Sequence, residues 1–275
     1  MNAAQISRPF GRLLAALEPW LDQVVIVGGW AHRLYRLHPA AQALEYPPLS
    51  TLDADVALSP TLMTGELGIH VRLLAFGFEE EFFGETRPPA THYHLGGETS
   101  GFYAEFLTPL VGSEYDRKQK RKAVMEVAGA STQQLRHIEI LLNNPWSIHV
   151  QHDEFSGRVR IANPVAFLVQ KILIHRRRDR EDRAKDILYM RDTLEVFGAR
   201  LSDLARVWRS DVAAHLQPRY SNMVSRAPRE MFHQVTDDIR RAAEISAERA
   251  LDPEGVRQAC YHGFREILGD QNPSA

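Results

Sequence analysis

Asp53 and Asp55 stand one residue apart in the apolar run "STLDADVAL". In an extended strand residues i and i+2 project from the same face, so the two carboxylates sit side by side. Two anions that close repel, and one is driven to take a proton unless a cation compensates. Mg²⁺ or Mn²⁺ suits that task, because hard cations take carboxylate oxygens and fill their remaining positions with substrate phosphates and water. Asp is disfavoured inside strands, so a pair asks for a reason beyond hydration at a solvent-facing edge. Upstream, the run "VVIVGG" ends on Gly28 and Gly29. A glycine pair at a strand-to-helix turn lets a ligand approach the backbone, and the following helix offers N–H donors to a phosphate. The turn lacks the Gly-Lys-Ser/Thr ending of a Walker A loop and the spacing of a G-x-G-x-x-G fingerprint. Read singly, the Asp pair is a hydrated strand and the glycine pair a tight turn. Read together, they place a phosphate cradle beside a divalent-cation site.

The elements needed to hold those residues are legible in the same stretches. Phe10, Leu13, Leu14 and Leu17 follow helical spacing, with Arg12 and Glu18 off the stripe. "VVIV" predicts a buried strand stopped by glycine, and "WAHRLYRLH" a helix closed by Pro39 in a loop that runs through Pro47 and Pro48. In the second strand Leu52, Ala54 and Val56 share one face, and Asp53, Asp55 and Ala57 the other. A helix is expected from about Leu67 to Phe76. The segments "EEEFFG", "THYHL" and "GFYAEFLTPL" are divided by Gly and Pro and predict antiparallel additions to the sheet. "VMEVAG", "WSIHVQ" and "GRVRIANP" predict further strands. From Pro164 the texture turns helical through Gly198, and most of the remainder, including "TDDIRRAAEISAERAL", is helical too. The expected class is α/β (α+β), a mixed sheet flanked by helices and followed by a mainly helical region, with domains 1–162 and 163–275.

Composition leaves this reading room and narrows it. The 275 residues suffice for one large or two small domains, and a net charge of −2 argues for neither nucleic acid nor membrane in bulk. The single cysteine, Cys260, excludes an intrachain disulfide framework and a Cys-rich zinc site. No apolar stretch approaches the length that spans a bilayer, and the N-terminus lacks the pattern of a signal peptide. A cytoplasmic protein with no membrane partner is the expectation.

The stretches "IVGGWAHRLYRL" and "STLDADVAL" resemble the Gly-Gly/Gly-Ser turn and D-x-D strand of the polymerase-β-like nucleotidyltransferase superfamily. That resemblance implies a mixed α/β core whose strand carboxylates bind two metal ions, Mg²⁺ or Mn²⁺, beside an NTP. It implies a third carboxylate on a later strand, and Glu105 in "GFYAEFLTPL" falls in the matching context, where many members have Asp. Many relatives also carry Ser at the second turn position, where Gly29 offers only its backbone N–H. The stretch "NPVAFLVQKILIHRRRDREDRAKDILYMRD" is similar to the second signature of the abortive-infection (AbiE-type) toxin nucleotidyltransferases and related bacterial nucleotidyltransferases. By that match Lys171 meets the NTP phosphates, while Arg178, Lys185 and Asp186 support the site, Asp186 orienting a cation or moving a proton. Lys171, His175 and Arg178 are spaced four and three apart, which puts them on one helical face.

The implied activity is metal-dependent transfer of NMP from an NTP to an acceptor hydroxyl on a protein, a tRNA or a small molecule. The toxin-like branch implies an antitoxin partner. Two other classes fit the same residues: a catalytically degenerate member that only binds nucleotide or a partner, and an RNA-binding module whose footprint is the basic clusters. The cluster "RKQKRK" at 117–122 is the main candidate for the latter. His92 and His94 share a strand face but have no third ligand nearby in sequence, so they read as exposed strand histidines. Cys260 and Trp208 read as core.

Overall fold

The computed structural model describes residues 6–83, 90–97, 99–115 and 123–269, so the basic cluster 117–122 lies outside the described residues. The chain divides into two compact units: residues 1–37 with 50–163, and residues 38–49 with 164–275.

The first unit is built on a mixed sheet. Helix α1 (Arg8–Ala16) buries Phe10, Leu13 and Leu14, with Leu17 just beyond its end, as the apolar stripe requires. Strand β1 (Val25–Ile26) runs into helix α2 (Gly28–Leu34), whose Trp30 stacks on Phe10 with ring centroids 3.7 Å apart. Then come β2 (Asp53–Ala57), α3 (Ile69–Ala75), β3 (Phe78–Phe83), β4 (Ala90–Leu95) and β5 (Tyr103–Pro109). The hairpin β6 (Val124–Val127) and β7 (Ala130–Leu135) follows, then the short helix α4 (Ile138–Leu142) and the hairpin β8 (Trp146–His152) and β9 (Phe155–Ile161). The strand order is β3-β4-β5-β2-β1-β9-β8, with β7 pairing β5 and carrying β6 outside it.

Two sequence expectations are corrected here. "GFYAEFLTPL" joins β4 antiparallel, but it pairs with β2 in parallel, so it sits inside the sheet rather than being added to its edge. A parallel neighbour needs a crossover connection. Residues 58–102, carrying α3, β3 and β4, supply it, and periodicity within a single strand cannot reveal that. The second correction is Leu52. It precedes β2 and is 51% exposed, while Ala54 and Val56 are buried as expected and Ala57 is buried too.

The second unit is helical: α5 (Pro164–Ile174), α6 (Arg180–Val196), α7 (Leu201–Val207), α8 (Pro218–Phe232), α9 (Asp237–Glu244) and α10 (Pro253–Leu268). The expected continuous helix from Pro164 to Gly198 is broken. α5 ends at Ile174, His175–Arg177 form a 3₁₀ turn, and Arg178 has extended backbone at φ −80°, ψ 150°. Asp179 then caps α6, its carboxylate accepting from the Asp182 N–H at 2.9 Å. An Asp N-cap competes with helix continuation, and this one stops the first helix and starts the second. Lys171 and Arg178 therefore belong to different segments and do not share one helix face. The proline-containing loop 38–49 belongs to this unit. Gln42 donates its backbone N–H to the Val196 carbonyl at 2.8 Å, and Arg249 donates to the Pro47 carbonyl at 2.9 Å. The Arg249 guanidinium also lies 4.0 Å above the Tyr46 ring and 2.7 Å from Asp192. Trp208 and Cys260 are buried. Among the described residues no helix is long and apolar enough to cross a membrane.

Candidate active site

β1 and β2 pair antiparallel with Ile26 opposite Val56, and the Val27 N–H donates to the Asp55 carbonyl at 3.0 Å. That register brings the first residue of α2, Gly28, against the side chain of Asp55. Gly28 has φ +58°, the left-handed region that glycine occupies without penalty. A Cβ placed on it would lie 1.8 Å from Asp55 Oδ2 and 2.9 Å from its Cγ. The carboxylate thus occupies the space that any side chain at position 28 would need. Gly29 follows inside α2 and is not among the residues with positive φ.

Asp53 and Asp55 share the opposite face of β2 from buried Ala54 and Val56. Thr51, itself buried, donates its hydroxyl to Asp53 Oδ1. On the adjacent parallel strand, Tyr103 is in register with Asp53 and Glu105 with Asp55. Three carboxylates and a phenol therefore share one face across β2 and β5. Burial pushes the Glu105 carboxyl up, but hydrogen bonds with His92 and Asp55, together with the His92 charge, outweigh it. The net position is below the ordinary carboxylate range. Burial pushes the Tyr103 phenol up to about 12, reinforced by the charges of Asp53, Glu105 and Asp55, so it keeps its proton.

Sequence reading missed the neighbours that complete this face. His92 and His94 are half-buried rather than freely exposed. The His92 ring stacks on Tyr103 at 4.4 Å with planes 20° apart, and its Nε2 lies 3.5 Å from Glu105 Oε2. Gln133 on β7 donates its side-chain amide to the same Glu105 oxygen at 2.7 Å. The period-2 alternation of "THYHL" puts both histidines on one face, but only the strand order shows that this face also carries Glu105.

The donor set fits a hard divalent cation. Asp55 and Glu105 are paired in register on one face with Asp53, so their repulsion is relieved by a positive charge between them. A hard divalent cation would supply that charge, taking carboxylate oxygens as ligands. Among the described residues no group of three or more His, Cys, Asp or Glu is arranged to hold a metal ion, so the carboxylates come together as neighbours and not as a closed cage.

The residues expected from the second signature cluster within the second unit. Lys171 Nζ donates to Asp186 Oδ1 at 2.6 Å, with 9% and 1% of the two side chains exposed. Arg178 Nε lies 3.5 Å from the other Asp186 oxygen, and a second nitrogen of Arg178 lies 3.2 Å from Asp182. The ammonium of Lys171 also sits 5.4 Å from the rings of both Phe167 and Tyr189. Lys185 approaches Tyr189 at 5.8 Å. The broken helix brings Lys171, Arg178 and Asp186 together more closely than a continuous one would, because the turn folds Arg178 back over Asp186.

A family model for nucleotidyltransferases matches residues 8–213, well over half of the chain. The match takes in the carboxylate face of the first unit and the Lys171–Asp186 cluster of the second. No curated protein and no solved structure matches the chain. With a glycine turn seated on a strand carboxylate and a third carboxylate in register beside it, and with that match over both units, the chain belongs to the nucleotidyltransferase family.

Proposed function

We propose that this nucleotidyltransferase is metal-dependent and transfers a nucleoside monophosphate from an NTP to the hydroxyl of an acceptor. The observation that carries the reading is the face shared by Asp53, Asp55 and Glu105 against the side-chain-free turn at Gly28. Asp53 and Asp55 hold Mg²⁺ or Mn²⁺, with Glu105 completing the set. Bound there, the cation supplies Lewis-acid polarisation of the phosphoryl oxygens and neutralises charge on the leaving pyrophosphate. Gly28 leaves Asp55 its place, and the Gly28-Gly29 turn gives the triphosphate close access to the backbone. Glu105, ionised at neutral pH, is suited to holding a cation first. It can take the acceptor's proton only as a weak base. The attacking hydroxyl oxygen forms a bond to the α-phosphorus, the bond to the β-phosphate oxygen breaks, and pyrophosphate leaves.

The test is incubation with each α-labelled NTP, Mg²⁺ and a cell extract. Label is expected in one acceptor fraction, protein, tRNA or small molecule, and is expected to fall by about 10³-fold or more in Asp53→Ala and Asp55→Ala. Transfer that survives both changes would sink the proposal. Metal-dependent NTP binding without transfer to any fraction would assign the chain to a binding role. If the acceptor is essential to its host, expression of the wild type arrests growth and Asp55→Ala does not, as a toxin-like member would behave.

A further inference from the structure

We infer that Gln133 and His92 are positioning residues that fasten one oxygen of Glu105, so that the other side of the carboxylate is presented to Asp55. The inference rests on the nucleotidyl-transfer reading for its consequence, but its geometry stands in the metal-free protein. Glutamate carries one more methylene than aspartate and therefore one more freely rotating bond. A glutamate in this place needs restraint that an aspartate would not. The sheet provides it from the edge of β5 opposite β2, where β4 and β7 pair with successive stretches of the strand. Gln133, on β7, donates to Glu105 Oε2 at 2.7 Å. It reaches that oxygen from the position opposite Leu107, two residues beyond Glu105 on the same face. From β4, His92 brings Nε2 to 3.5 Å of the same oxygen, two residues along from the His94–Tyr103 pair. The imidazole is itself fixed by its stack on Tyr103. With both groups gathered on one oxygen from the edge of β5 away from β2, the second oxygen is left on the side of Asp55, its partner in register. Residues that orient a ligating carboxylate in this manner usually matter nearly as much as the ligand.

The experiment uses the full chain and two measurements. In the metal-free protein, the Gln133 side-chain amide is followed by ¹⁵N NMR in wild type and in Glu105→Ala. Separately, Mn²⁺ binding is measured by EPR for wild type, Gln133→Ala, His92→Phe, His92→Gln and Gln133→Ala in a Glu105→Ala background. His92→Phe keeps the ring on Tyr103 and loses the donor, whereas His92→Gln keeps a donor.

The Gln133 amide resonance is expected to shift and to exchange faster with solvent in Glu105→Ala. The Mn²⁺ dissociation constant is expected to rise about tenfold in Gln133→Ala and His92→Phe, and to stay within about threefold of wild type in His92→Gln. With NTP, kcat should fall in the first two variants while KM stays within about twofold. Gln133→Ala should change nothing further once Glu105 is absent. An amide indifferent to Glu105→Ala overturns the inference whatever the Mn²⁺ result. So does unchanged Mn²⁺ affinity in both donor-deleting variants, or an effect that persists in the Glu105→Ala background. An amide that responds in a protein that binds no Mn²⁺ supports the fastening of Glu105 and overturns the nucleotidyl-transfer reading instead.

Discussion

Replacing Gly28 by alanine separates what the turn does for stability from what it does for the site. Two costs are built into the position. The first is backbone: a φ of +58° costs an alanine about 1–2 kcal/mol relative to a relaxed conformation. The second is contact: the new methyl would lie 1.8 Å from Asp55 Oδ2, and a separation of about 3.3 Å needs that oxygen to retreat by about 1.5 Å. Oδ2 is the far end of a side chain, but Cγ would also stand 2.9 Å away, so relief needs the whole Asp55 carboxylate to swing about its Cα–Cβ bond. Stability should therefore fall by little more than the backbone cost, which is a drop in Tm of about 2–8 °C for a chain of this size. Function should suffer far more, because a displacement of about 1 Å in a reacting constellation costs on the order of 10²-fold in rate.

The assay pairs thermal unfolding with label transfer from an α-labelled NTP at saturating Mg²⁺. A second pair, Asp55→Ala with and without Gly28→Ala, removes the carboxylate that the methyl meets. In that background only the backbone cost should remain, and Mn²⁺ binding should no longer respond to the methyl. Two results would refute the reasoning. One is Gly28→Ala with wild-type transfer and metal affinity. The other is Gly28→Ala that lowers Mn²⁺ affinity by the same factor whether or not Asp55 is present, since the harm would then not pass through that carboxylate.

Other perturbations read different parts of the chain. Lys171→Met takes from Asp186, which is 1% exposed, its 2.6 Å partner and leaves it only Arg178 at 3.5 Å, and is expected to cost up to about 3 kcal/mol in urea unfolding. Lys171→Met with Asp186→Leu should recover most of it, and a double variant as unstable as the single would show that the pair is not the cause. Burial holds the His175 imidazole below its usual value of 6.5, with Asp238 and Asp186 pulling it back up and Arg183 and Arg176 pushing it down. A depressed folded value means that the unfolded chain binds the extra proton, so stability is full above about pH 6.5 and falls as pH drops through the folded value. His175→Gln should flatten Tm between pH 7 and 5, and an unchanged slope would assign that dependence to other groups. Tyr103 should resist ionisation to about pH 12 by ultraviolet titration, and Asp53→Asn should bring that value down.

Local features of the site could be read from the chain because each is written in residues close together. The strand at Val25, the glycine stop, the apolar stripe of α1 and the same-face placement of Asp53 and Asp55 all follow from spacing of one to four residues. What spacing could not supply is pairing. Glu105 is in register with Asp55 only because β5 lies parallel to β2, and that depends on the long crossover between them. His92 and Gln133 are invisible for the same reason, since their shared partner stands on β5, which pairs with both of their strands along one edge. The break after Ile174 was masked for a different reason. Arginines and acids on either side of Asp179 all satisfy a helical period, and only the capping role of that one aspartate ends it. The stretch at 38–49 reads as a proline-containing loop by composition. It belongs with the helical unit because of contacts to Val196, Asp192 and Arg249, all far along the chain.

The geometry also changes why the glycine pair matters. From sequence, both glycines serve one purpose, to let phosphate approach the backbone. In the fold they differ. Gly28 is held by two independent constraints, a positive φ and the carboxylate of Asp55 where its side chain would be. Any other residue there would move the Asp55 carboxylate. Gly29 sits within α2 without positive φ, so its backbone makes no demand for glycine. A serine at the second position, as the resembling superfamily often has, is compatible with that backbone, whereas no residue but glycine is compatible with the first. The turn and the D-x-D strand are therefore one structural feature, coupled through the pairing of β1 with β2. The Asp pair owes the position of its second member to an atom that Gly28 lacks.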